Sequence, residues 1–349
     1  MTQAPATTPA APPDERVHRA SALQRLMSRP ELGSLVGAIA IYIFFFAVAD
    51  SFRSTAALST ILYVTSTIGI MAVGVALLMI GGEFDLSAGV AVTTSALTAS
   101  LLSYQLSTNV WVGILVALVV SLSIGFANGW LVMKTGIPSF LVTLGSFLML
   151  QGLNLAVTKL LTGQVASQNI SNMDGFEVAK TIFASEFSVG GMTIRITVVY
   201  WLLFVAIATW ILLRTKVGNW IYAVGGDKES ARAVGVPVAA TKIGLFMGVG
   251  FLAWFSGMHL LFRFNTVQSG EGVGNEFIFI IAAVIGGCLL TGGYGTAIGA
   301  AIGALIYGMT NQGIIYAGWN PDWVKFFLGV MLLLATVTNM WVRNRASKR

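Results

Sequence analysis

Apolar residues run along this chain in long blocks separated by short polar or glycine-rich breaks. A helix needs about 20 predominantly apolar residues to cross a bilayer core of roughly 30 Å. Ten blocks read as candidate spans: 33–49, 58–80, 86–103, 110–133, 139–158, 196–213, 243–262, 277–290, 295–312 and 323–342, the eighth of them short. The pattern predicts an all-α, polytopic integral membrane protein of about ten transmembrane helices.

The breaks carry the more specific information. IGGEFDLSAG at 80–89 joins two apolar runs, and IGGCLLTGGYG at 285–295 resembles it 205 positions later. Irregular backbone at membrane depth is tolerated where it is packed in protein or lines a cavity, as in transporters. In the first joint, Gly81, Gly82, Glu83, Asp85 and Ser87 are the candidate residues. Asp85 or Ser87 is expected to cap the following helix. A carboxylate at the bilayer centre costs about 3 kcal/mol on insertion scales, so Glu83 and Asp85 are expected at the cytoplasmic edge or in a wet cleft. After the second joint, the spacing of Gly295, Gly299 and Gly303 allows close helix packing, within the chain or between subunits.

The loops differ in kind. The stretch 162–195 is the longest external segment, and GMTIRIT at 191–197 reads as a short amphipathic piece entering the next span. The glycine-rich 263–276 reads as a flexible external loop. The longest internal loop, 214–242, holds one local structure. Gly225-Gly226 is a break, Asp227 a helix cap with Glu229 in the first turn, and Gly235 suits a left-handed C-terminal position before the Pro237 stop. Lys228 to Val234 then forms two turns, with Lys228 and Arg232 on one side and Ala231 making a small face. So short a helix does not stand alone. Interfacial helix and docking element for a cytoplasmic partner are equal readings at this point.

Composition fixes the class. The chain of 349 residues is 56% hydrophobic and 10% charged, against about 25% charged in soluble domains. The net charge of +6 is distributed as a topology signal. With the N-terminus inside and ten spans, fourteen Lys and Arg fall inside and six outside, the bias of the positive-inside rule. Both termini are then cytoplasmic. Residues 1–30, rich in Ala, Pro, Thr and Arg, form a disordered cytoplasmic tail, 31–343 a single permease domain, and 344–349 a basic cytoplasmic tail.

Uncharged polar residues inside the spans, Asn128, Gln151, Asn154, Asn311 and Gln312, are candidates for a solute path suited to a neutral polyhydroxylated solute. Helix–helix hydrogen bonding is the competing reading for each. The single cysteine, Cys288, and the separated His18 and His259 offer no disulfide and no metal site. The sequence contains no P-loop motif, no H-E-x-x-H and no G-x-S-x-G, which argues against ATP binding or hydrolase chemistry on this chain.

From about residue 58 to 340 the chain resembles the permease subunits of bacterial ATP-binding-cassette sugar importers, the ribose/xylose/galactose branch. Four stretches carry the resemblance: GGEFDLSAG at 81–89, TGIPSFLVTLGSFLMLQGL at 135–153, AVGGDKESARAVGVPV at 223–238 and IAAVIGGCLLTGGYGTAIGAAIGALIYGMTNQGI at 281–314. Against the family pattern, Glu83 stands where a second Gly is frequent, Asp227 replaces a frequent Asn, Ser230 a frequent Ala, and Gln151 the usual Arg. The resemblance implies a non-enzymatic transport subunit in the bacterial inner membrane that imports a monosaccharide or small polyol by alternating access. It implies ATP and Mg on separate ATPase subunits, a periplasmic or lipid-anchored sugar-binding protein, a second permease copy or paralogue, and no nucleic-acid partner. Asp227, Lys228, Glu229, Ser230, Ala231, Arg232 and Gly235 would belong to the ATPase-coupling helix. The alternative is an ion-coupled secondary transporter of a small neutral solute.

Overall fold

The computed structural model describes residues 30–107 and 109–346, with side chains described through Val337. The expected disordered tail up to residue 29, and Lys348 and Arg349 of the basic tail, lie outside the described residues. The first apolar block forms α1 (Pro30–Val48), followed by a 3-10 turn (Asp50–Arg53) and α2 (Thr55–Ile80). Then come α3 (Ala88–Gln105), α4 (Val110–Thr135), α5 (Ser139–Thr162) and the short α6 (Phe176–Ala184). The hairpin β1 (Glu186–Val189) and β2 (Met192–Arg195) leads directly into α7 (Ile196–Arg214). The chain continues through α8 (Lys216–Gly226), α9 (Lys228–Ala233), α10 (Val238–Phe264), α11 (Asn275–Ile285), α12 (Ala297–Tyr316) and α13 (Trp323–Ala346).

All ten predicted spans fall on helices. Seven of the described helices are long and apolar enough to cross a membrane: α1, α2, α4, α5, α7, α10 and α12. The chain is thus an all-α polytopic membrane protein carrying one small β-hairpin. Of the other three, α13 covers the tenth block with 24 residues, and the remaining two depart for physical reasons. Helix α3 is rich in Ser and Thr, but it is buried along most of its length, so protein rather than lipid surrounds it. Thr94, Ser95 and Ser103 return their hydroxyl protons to carbonyls one turn back, which satisfies them locally. Helix α11 stops at Ile285, where Gly286 caps it and Gly287 turns with φ 98°. The last helix, α13, runs on to Ala346, into the segment expected to be a free tail.

Helices α2, α3, α10 and α12 form the inner group, and α1, α4, α5 and α7 present apolar side chains outward, such as Leu148, Leu160, Trp210 and Leu213. Glycine sets the spacing. Gly125 and Gly129 of α4 sit against Phe246 and Ile243 of α10 so closely that a methyl on Gly125 would lie 2.4 Å from the Phe246 carbonyl oxygen. The Ser121 hydroxyl then donates to the Gly250 carbonyl across the same contact (2.7 Å). Gly299 and Gly303 bring α12 onto α11, at Gly286 and Ala282. That small-residue face therefore serves packing within the chain.

One expectation for the loops takes a definite form and another is corrected. The segment 191–197 enters the next span as a strand: Met192–Arg195 is paired with Glu186–Val189 across a Gly190-Gly191 turn in which both residues have positive φ. Residues 265–274 are not a free loop. The Ser167 amide donates to the Val267 carbonyl and the Ser269 amide to Val165, and Val267 and Ser269 are buried.

Candidate functional site

Three glycine-rich breaks far apart in sequence meet at one point. The joint after α2, the end of α8 and the joint after α11 touch backbone to backbone. The Gly293 amide donates to the Ile80 carbonyl (2.8 Å). A methyl on Gly225 would lie 1.7 Å from that same Ile80 oxygen, and one on Gly292 would lie 2.7 Å from Gly82 Cα. Gly82 and Gly292 both have φ of +80°, which bars other residues sterically as well as for space. The first and third of these breaks resemble each other in sequence, whereas the second lies within the expected loop 214–242.

Around this contact the first joint is satisfied by neighbouring helices. The Asp85 carboxylate accepts from the Ser87 amide (2.8 Å) and hydroxyl (2.5 Å). The Asn128 amide donates to the Ser87 hydroxyl (3.0 Å), and the Ser146 hydroxyl donates to Asn128 (2.5 Å). Ser139 and Thr143, at the start of α5, accept from the Phe84 and Leu86 amides. Ser87 occupies the N-cap position of α3 but makes no side-chain cap bond, and Asp85 holds the turn before it. Glu83 is buried rather than wet: Lys242 Nζ donates to its carboxylate at 2.5 Å, and both residues are nearly inaccessible. Lys242, the last residue of the expected loop 214–242, lies inside α10.

Next to this cluster stands α9. Asp227 caps it by accepting from the Ser230 amide (2.6 Å). This bond and the Ser230 hydroxyl hold the exposed carboxyl below its ordinary value. Gly235, with φ of +84°, closes the end as expected, and the Val236 amide donates to the Ala231 carbonyl (3.0 Å). Ala231 points inward, packed with Val224 and Val238. Lys228, Glu229 and Arg232 are exposed, the last two paired at 3.2 Å. The small residue thus anchors the helix to its own chain, and the charged residues form the free face.

The structure does not gather the expected solute-path residues. Asn128 belongs to the joint network, Asn154 reaches the Val90 carbonyl (3.4 Å), and Asn311 and Gln312 bond each other (2.9 Å). Gln151 is half-buried on α5. A cavity of about 210 Å³ lies elsewhere, between α2, α3, α10, the start of α7 and the start of α11. Tyr63, Thr93, Ser256, His259 and Asn275 are among its walls, with Phe264 and Glu271 exposed at its mouth. His259 Nδ1 lies 2.8 Å from the Phe183 carbonyl, which can only accept, so Nδ1 carries the proton. The Tyr63 hydroxyl, 3.1 Å from Nε2, then donates to it. The Arg195 guanidinium covers the Tyr63 ring at 3.9 Å and also meets Glu186 (3.6 Å). Length and hydropathy give no sign of this site, because its residues come from five helices and the segment before α11.

A bundle of membrane helices interrupted by packed glycine joints, with a charged helix at one end and a cavity of mixed polar and apolar lining within, suits a transport protein. The chain belongs to the family described as branched-chain amino acid transport system / permease component, which matches residues 57–336. It is similar to the ribose import permease protein RbsC of Escherichia coli (strain K12), 30% identical over 88% of this chain and 93% of the relative. It is also similar to the fructose import permease protein FrcC of Rhizobium meliloti, 28% identical over 85% and 81% of the two chains. The galactose/methyl galactoside import permease protein MglC of Escherichia coli (strain K12) is 30% identical over 82% and 86%. No solved structure matches the chain significantly. The chain is therefore a multi-pass permease of the ATP-binding-cassette class, a transport subunit related to sugar importers.

Proposed function

We propose that this permease carries a monosaccharide or small polyol into the cell by alternating access, in the bacterial cytoplasmic membrane. ATP and Mg are bound and hydrolysed on separate ATPase subunits, a sugar-binding protein delivers the solute from outside, and a second permease completes the membrane unit. The termini and residues 214–242 face the cytoplasm, in keeping with the fourteen-to-six charge split. The observation that carries this reading is α9: six residues, capped by Asp227, seated on the bundle through Ala231, with Lys228 and the Glu229–Arg232 pair exposed. A charged helix held rigidly beside all three glycine joints suits a contact through which an ATPase moves the spans.

The test is reconstitution in liposomes with the cognate ATPases and binding protein. Uptake should require ATP and all partners. Ion-gradient-driven uptake by the permease alone would replace this reading with a secondary transporter. Labelling of Lys228→Cys from outside intact cells would reverse the orientation.

A further inference from the structure

Helix α11 begins at mid-depth rather than at an end of the bundle. Helix α10 crosses α3 where a methyl on Gly257 would meet the Val92 carbonyl at 2.6 Å. The chain climbs from there to Phe264, about 10 Å at 1.5 Å per residue, and then turns back. By Gly272 it is again beside α3, where a methyl would lie 2.2 Å from the Gly89 carbonyl. The 11 residues of α11 start here and span about 16 Å, roughly half of a bilayer core. Helix α3 starts at the same level, at Ala88. Two helix starts thus converge inside the protein, the arrangement in which transporters place solutes near the midplane.

The cavity lies at this convergence. Among its lining residues, Thr93 is 1% exposed and its hydroxyl has no partner, and the enclosed Ser256 hydroxyl has none either. Buried polar groups are ordinarily satisfied, so two such hydroxyls beside one cavity call for an occupant. Asn275 adds a further polar group, while Met71 and Phe279 supply apolar wall. Among the described residues that line it, none is Lys or Arg; Arg195 is held behind the Tyr63 ring. The wall therefore offers hydroxyl, amide and imidazole groups beside apolar surface, with one carboxylate, Glu271, at its exposed mouth and no cation to hold an anion.

We propose that this cavity binds one neutral polyhydroxylated molecule within a single permease chain, using the Thr93 and Ser256 hydroxyls. The proposal rests on the transport reading for its biological meaning, but it is tested without transport. Thr67→Cys, a lining position outside the proposed hydroxyl pair, is prepared in the full chain in membrane vesicles, with the wild type as control because its one cysteine, Cys288, is buried. Labelling by N-ethylmaleimide is followed with and without saturating D-ribose, D-fructose, D-galactose, glycerol or myo-inositol, and with gluconate as an anionic comparison. Loss of labelling with at least one neutral compound and none with gluconate is expected. Val92→Cys, from the α3 wall, gives the same readout should Thr67→Cys fail to assemble, and Ser256→Ala added to the reporter chain should abolish the protection. A cysteine that stays unlabelled, labelling indifferent to every neutral compound, or equal protection by gluconate overturns the proposal. Failure of ATP-driven uptake with protection intact would instead refute the transport reading and leave the site standing.

Discussion

The buried Glu83–Lys242 pair can be taken apart in a defined way. Its charges are 2.5 Å apart, with side chains 12% and 6% exposed. At an effective dielectric of 20 the attraction is about 7 kcal/mol, but desolvation costs several kcal/mol for each ion. The pair as a whole is therefore near break-even against a neutral replacement, whereas stranding one charge costs about 3–5 kcal/mol. The two single substitutions should also differ. Lys242→Met leaves a short carboxylate that cannot reach water. Glu83→Gln leaves the long Lys242 side chain in the first turns of α10, where it can extend toward the interface, so it should be milder. The double variant Glu83→Gln/Lys242→Met should recover much of the loss. The assay is the temperature at which the detergent-solubilised protein loses its monodisperse size-exclusion peak. The expected order is wild type, double variant, Glu83→Gln, Lys242→Met. Strictly additive losses in the double variant, or a Lys242→Met protein as heat-resistant as wild type, would refute the reasoning.

Gly225→Ala should abolish accumulation of folded protein, since its methyl would lie 1.7 Å from the Ile80 oxygen, while Gly226→Ala, with open space around it, should be tolerated within about 0.5 kcal/mol; expression and heat resistance distinguish them. Ala231→Arg should insert in the membrane yet lift α9 from Val224 and Val238, whereas Lys228→Glu/Arg232→Glu should leave α9 seated; loss of ATPase co-purification is expected in both, and protease cleavage within 227–235 in the first only. For Asp227 the sign is that of a depressed carboxyl: its cap is complete above the ordinary carboxylate value of about 3.9 and is lost as pH falls through the lower folded value. Uptake by wild type and Asp227→Asn should therefore run parallel between about pH 5 and 8, and a pH-dependent step in that range that Asp227→Asn removes would contradict the assignment.

Much of this architecture is legible in the sequence because lipid imposes one rule on every span: long, apolar and helical. The α9 cap and its Gly235 stop are equally legible, being local chemistry within nine residues. What stays hidden depends on direction or on distance along the chain. Nearly uniform apolar helices carry little amphipathic signal, so nothing marks Ala231 as facing its own bundle or α3 as enclosed by protein. Glu83 and Lys242 are 159 positions apart, and a cation next to an internal loop reads as topology. Gly225 meets Gly82 and Gly292 through backbone atoms, which leave no side-chain pattern to read. The cavity combines ordinary Thr, Ser, Tyr and Asn residues that are informative only once the half-length of α11 is known.

The meeting of Gly82, Gly225 and Gly292 gives the molecule a fulcrum. A contact made by flexible side chains can yield under load, with each partner adjusting by rotamer changes. Here main chain bears on main chain, and the Gly293–Ile80 hydrogen bond ties two of the three breaks together. A push on α8 or α9 should therefore reach the turn before α3 and the hairpin of α11 and α12 at the same moment. The spacings among residues 82, 225 and 292 should stay fixed between conformations while the far ends of their helices swing, a pattern that distance measurements between paired spin labels can check.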